Sequence, residues 1–152
     1  MQLGPTIDGR VKIVINDEND FAFFAELLQD AMGEDDTQPL VDQLARKGAD
    51  EDWEEFVKPD LVEQFHQEKL KVGEVLAKLQ NEEETEIFIG PENAQDWYST
   101  LNQARLHLEN IHKVSEMPDD GLSSYEPHEI QVKMKYDLYT QIQSVILEVV
   151  DY

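Results

Sequence analysis

Val11, Ile13 and Ile15 alternate with Lys12, a two-residue period that predicts a short strand over about 10–15. The period then changes. Phe21, Phe24, Leu27, Leu28 and Met32 recur at steps of three and four, which predicts an amphipathic helix capped by Asn16 or Asp17 and stopped at Gly33. Ile87, Phe88 and Ile89 predict a second strand over about 86–89. Gly90 and Pro91 then turn the chain into a helix from about 92 to 114, with Trp97, Leu101, Leu108 and Ile111 on its core face. Pro59 suits the first turn of a long helix reaching about Gln80. That helix points Leu61, Phe65, Val72, Leu76 and Leu79 inward, and Gly73 falls on the same stripe, where close helix packing is expected. A last helix from about His128 to Val150 buries Tyr139, Ile142, Val145, Ile146 and Val149.

The intervening stretches are less regular. Residues 1–9 contain Gly4, Pro5 and Gly9 and read as loop, as does 117–127 with its Pro, Gly, Asp and Ser. Residues 34–52 are acidic and irregular, with a short helix expected through Leu40, Val41 and Leu44, and a brief amphipathic piece at Trp53, Phe56 and Val57. The reading is one mainly α domain over 1–152, a bundle of about five helices with two short strands. Two such strands are marginal alone, so they are expected to pair with each other, antiparallel, across the helices. The strand–turn–helix grammar of 12–24 recurs at 86–98, which raises the question of an internal duplication.

Composition narrows the function classes. Of the 152 residues 34 are Asp or Glu and 12 are Lys or Arg, a net charge of −22. Such a chain repels phosphate backbones and anionic lipid, which argues against nucleic acid and membrane partners and leaves basic proteins and cations. With no cysteine, disulfides, thiolate metal sites and a cysteine nucleophile are excluded. No run of eighteen apolar residues occurs, and the N-terminus shows no apolar leader, so a cytoplasmic protein is the expectation.

No phosphate-binding loop, dinucleotide fingerprint or nucleophile elbow is present, and the acidic runs lack the spacing of a calcium loop. Two constellations remain. Glu63 with His66, and Glu109 with His112, are both Glu-x-x-His on separate helices, the pattern of di-iron bundles, which also need a Glu from each of two further helices. In so acidic a chain such pairs arise readily by chance. The second constellation is polar residues inside the apolar stripe of the helix at 92–114. At about 100° per residue Arg105 lies about 40° and His112 about 20° from Leu101. Asn102, Arg105 and His112 are therefore a candidate polar core or anion site. A buried Arg must be paired, so a structural ion pair or stacking on Tyr98 or Trp97 is the plainer expectation.

The segment WYSTLNQARLHL, Trp97 to Leu108, carries a resemblance. With AELLQDAM at 25–32, EEFVKPDLVEQF at 54–65 and YDLYTQIQSVILEVV at 136–150, it resembles a bacterial domain-of-unknown-function family, common in actinobacteria and often encoded near the adaptor of the Clp protease. The similarity spans about 10–150, and its most specific residues are Trp97, Leu101, Asn102, Arg105 and Leu106. The resemblance implies a helical fold and supplies no catalytic residue or cofactor. The expected function is a non-catalytic interaction or regulatory module without cofactor, engaging a protein partner, with homo-oligomerisation left open. The alternative is a metal-binding bundle using Glu63, His66, Glu109 and His112.

Overall fold

The computed structural model describes residues 1–32, 58–82, 84–117 and 126–150. They form three strands, β1 (Gln2–Pro5), β2 (Val11–Val14) and β3 (Glu86–Ile89), and four α-helices, α1 (Glu18–Met32), α2 (Lys58–Glu82), α3 (Ala94–His112) and α4 (Pro127–Val149). The short helices expected through Leu40–Leu44 and at 53–57 lie outside the described residues, as does most of the expected loop at 117–127.

The two expected strands do pair antiparallel, with Val11 opposite Ile89 and Ile13 opposite Ile87. These four side chains are buried on one face, while Lys12 and Glu86 meet on the other at 3.2 Å. The sheet has a third strand, however. Residues 2–5, read as loop, run antiparallel to β2 as an edge strand. Gly4 and Pro5 signalled a turn, but an edge strand tolerates Pro because its missing N–H faces away from the ladder. The true turn follows, closed by the Thr6 N–H to Arg10 carbonyl bond at 2.8 Å, with Gly9 at φ 83°.

Local chemistry fixes the helix ends. The Asp17 carboxylate accepts the Asp20 N–H at 3.0 Å, and the Asp20 carboxylate accepts the Asn16 N–H at 2.8 Å, so two side chains take up backbone donors at the start of α1. Asn93 organises the start of α3: its Oδ1 accepts the Gly90 N–H at 2.8 Å and its Nδ2 donates to the Phe88 carbonyl at 3.1 Å. That ties β3 to α3. The helix ends at His112 because Lys113 is left-handed, at φ 53°, and the Glu109 carboxylate takes the Ser115 N–H at 2.8 Å. The predicted continuation to 114 is a 3₁₀ turn, Val114–Glu116. Pro127 opens α4 at its first turn, with Glu126 and Glu129 as a capping box.

α3 is the central element, packed against α1, α2 and α4. Phe24 and Leu27 of α1, Val72, Leu76 and Leu79 of α2, Trp97 and Leu101 of α3 and Tyr139, Ile142 and Ile146 of α4 join the sheet's inner face in one core. Two expected core residues are on the surface: Met32 is 52% and Ile111 55% exposed, each in the last turn of its helix. Gly73 is not a close helix crossing either, since a Cβ there would meet only Leu28 Cδ1, at an ordinary 3.8 Å.

Candidate functional site

Three polar networks lie between the helices, and α3 has a part in each. The first is a seam facing α2. Gln95, Ser99, Gln103 and His107 stand four residues apart, so they share one face of α3. Ser99, Gln103 and His107 are buried, and across from them are Glu68 and Lys69, 4% and 5% exposed. Gln95 donates to the Glu68 carboxylate at 3.3 Å, and Gln103 donates to the Ser99 hydroxyl at 3.2 Å. Glu68 Oε1, Gln103 Oε1 and His107 Nε2 are buried with no hydrogen-bond partner.

The second network hangs on Asp30, near the end of α1. His107 Nδ1–H donates to the Asp30 carbonyl at 2.9 Å, satisfying one of the carbonyls a helix end leaves over and fixing the neutral tautomer. The Asp30 carboxylate accepts the Tyr139 hydroxyl at 2.7 Å and pairs with Lys135 at 3.0 Å. Burial and the adjacent Asp30 carboxylate raise the pKa of the Tyr139 hydroxyl, which stays a donor. Asp30 thus joins α1 to α3 through its backbone and to α4 through its side chain.

The third network contains Arg105, which is half-buried. Its Nη1 donates to Gln143 Oε1 at 2.5 Å and its Nη2 to the Tyr136 hydroxyl at 3.3 Å, and the guanidinium lies 5.0 Å from the Tyr136 ring centroid. Gln143 in turn donates to the Tyr98 carbonyl at 3.1 Å. The cation–π partner is therefore Tyr136 of α4, not the Tyr98 or Trp97 of its own helix. Asn102 is half-buried one turn earlier. His112 is exposed and stands apart from both. The face it shares with Leu101 and Leu108 has run past the core by the last turn.

The four residues of the metal reading are likewise separated in role. Glu63 is exposed and accepts from Gln67 at 2.8 Å, while Glu109 is engaged with Ser115. His66 lines a cavity between α1 and α2, and His112 lines a different one beside α4. Among the described residues no three His, Asp or Glu side chains are grouped as metal ligands would be.

These two cavities differ in chemistry. The one beside α4, about 590 Å³, has Glu26, His112, His128 and Lys135 among its walls, with Phe23 and Leu138. The one between α1 and α2, about 410 Å³, is an open groove walled mainly by Leu28, Met32, Leu70, Gly73 and Ala77. Met32 and Leu70 stand 52% and 47% exposed at its edge.

Acid–base chemistry in the seam is constrained by distance. Ser99 and His107 are two helical turns apart, about 12 Å, so the carboxyl that meets Ser99 and the imidazole do not form one proton-exchanging pair. Burial raises the Glu68 pKa, only partly offset by bonds from Gln95 and Ser99, and burial lowers the His107 pKa. The folded protein holds the Glu68 proton more tightly than the unfolded chain does. The stability this group contributes is full below the ordinary glutamate value and is lost as pH rises through the raised one. His107 works in the opposite sense: its contribution is full above the ordinary imidazole value and is lost as pH falls through the lowered one. Glu68→Gln is accordingly expected to have a higher urea midpoint than wild type at about pH 8, with the gap closing near about pH 4. A variant less stable than wild type at the higher pH would show that the charged carboxylate is favoured in the seam.

Residues 16–150 match the family described as a domain of unknown function, DUF2017, and the chain belongs to that family. The resemblance read at Trp97–Leu108 is borne out at that level. Neither the curated proteins nor the solved structures contain a match. No described helix is long and apolar enough to cross a membrane.

Proposed function

We propose that this member of the DUF2017 family is a non-catalytic interaction module, and that it meets its protein partner in the groove between α1 and α2. The observation that carries this reading is the groove itself: an open, nearly all-apolar trough edged by two large, half-exposed side chains, Met32 and Leu70. Single exposed apolar residues are ordinary, whereas a contiguous concave apolar surface marks a binding site. The polar networks support the same reading from the other side. Asp30, Arg105, Tyr139 and Gln143 are engaged in holding helices together.

A photo-crosslinking amino acid tests the reading. Placed at Leu70 and irradiated in the cells the protein comes from, p-benzoylphenylalanine is expected to give one discrete protein adduct, weakened by Met32→Glu. Placed at Leu147, 58% exposed on α4, it is expected to give none. No adduct from position 70, or the same adducts from both positions, would defeat the proposal.

A further inference from the structure

The shape and charge of the groove specify what fits it. Along α2 its wall includes His66, Leu70, Gly73 and Ala77, spaced by four, three and four: one helix face over three turns, about 16 Å, with Lys69 and Glu74 beside them. The facing wall is Leu28 and Met32, one turn apart on α1. Gly73 and Ala77 leave the α2 wall low between these ridges, and small residues at a contact let a second helix approach to about 8 Å between axes. A trough with this periodicity accepts a helix with apolar side chains at i, i+4 and i+7.

Charge selects among helices. At the groove itself the exposed acid is Glu74 of α2; of the acids of α1, Asp20 pairs with the N-terminal amine, Asp30 pairs with Lys135 and Glu26 lines the other cavity. Of the nearby lysines, Lys69 also lines the groove but is only 5% exposed, and Lys71 is drawn to Asp96 of α3, at 3.8 Å. With −22 on the whole chain, a second copy or an acidic segment is repelled on approach, and a basic one is steered in. Resting on the interaction reading above, we infer that the groove takes a basic amphipathic helix of three to four turns, its Leu- or Met-type stripe against Leu28, Met32 and Leu70 and its Lys and Arg outward.

The test is fluorescence anisotropy with two labelled peptides of about 15 residues, one built from Leu and Lys in helical register and the other with Glu for every Lys. Each is titrated with wild type, Leu70→Asp and Leu147→Asp, both substitutions being at exposed positions. The Leu/Lys peptide is expected to bind wild type and Leu147→Asp alike and to lose roughly tenfold in affinity for Leu70→Asp, with the Leu/Glu peptide not binding. The sign is diagnostic, because Leu70→Asp adds a negative charge and would tighten mere electrostatic adhesion. Equal binding by the two Asp variants therefore overturns the inference. Tight binding of the Leu/Glu peptide, lost in Leu70→Asp, refutes the basic partner and leaves the interaction reading standing. So does a failure of wild type to bind either peptide while the crosslink at 70 persists. A wild-type dimer that Leu70→Asp dissociates would assign the groove to a second copy. Rejection of both peptides with loss of stability in Leu70→Asp would assign it to the chain itself.

Discussion

Trp97→Ala is expected to remove about 3–5 kcal/mol of stability, the largest effect of any single substitution considered. Trp97 is 1% exposed and sits in the first turns of the central helix. Its ring meets Phe24 of α1 edge-on, centroids 6.1 Å apart and planes at 89°. Phe24 in turn meets Phe23 edge-on at 5.1 Å, and Phe23 lies 5.3 Å from Tyr139 of α4. Truncation therefore deletes the α3 member of an aromatic chain running through α1 to α4, and it leaves a void in a core with little freedom to collapse. For a domain whose whole stability is about 5–15 kcal/mol, that is a large share. The measurement is urea unfolding followed by circular dichroism, with the midpoint falling while the slope is unchanged. Trp97→Phe should recover a good part of the loss, because it keeps an aromatic edge toward Phe24. A midpoint for Trp97→Ala within experimental error of wild type would mean that α1 and α3 are held together by something else.

The same residues show what the one-dimensional pattern could and could not convey. Trp97, Leu101 and Leu108 were legible as a stripe because they face one way. The seam formed by Gln95, Ser99, Gln103 and His107 was not, because it lies on the opposite side of the same helix, where the pattern predicts water. A helix packed on three neighbours has little wet face, so Ser99, Gln103 and His107 are buried too. A signal for this did exist: α3 has only three Asp, Glu, Lys or Arg in 19 residues, Asp96, Arg105 and Glu109, whereas α2 has nine in 25. In a chain that is 30% charged, so uncharged a helix belongs in the interior. His112 failed for the reverse reason, since angular position says which way a side chain points but not whether a neighbour reaches that far along the axis. The first strand was hidden by Pro5, whose turn preference is real but yields at a sheet edge. Asp30 was invisible in principle, since its partners Lys135 and Tyr139 stand more than a hundred residues away.

Arg105 was legible as a polar residue inside an apolar stripe, and its role can be settled by a double-mutant cycle. Arg105→Met keeps most of the aliphatic length and removes the donors. It leaves Gln143 Oε1, on a residue 3% exposed, without its partner. An unsatisfied buried acceptor costs about 1–3 kcal/mol, and the stacking on Tyr136 is lost with it, so the single variant should fall by about 2 kcal/mol. Gln143→Leu alone strands the guanidinium instead, whose Nε is already buried without a partner, and should cost at least as much. With both changes the α3–α4 contact becomes Met against Leu, and the side-chain group left without its partner is the Tyr136 hydroxyl, on a residue that is only half-buried. The double variant is therefore expected to be more stable than the sum of the single losses predicts, by about 1 kcal/mol or more. Strict additivity would mean that Arg105 and Gln143 do not depend on each other. If phosphate or sulfate raises the midpoint of wild type and leaves that of Arg105→Met unmoved, the guanidinium is holding an anion as well as a helix, and the candidate site at Asn102 and Arg105 becomes a binding site.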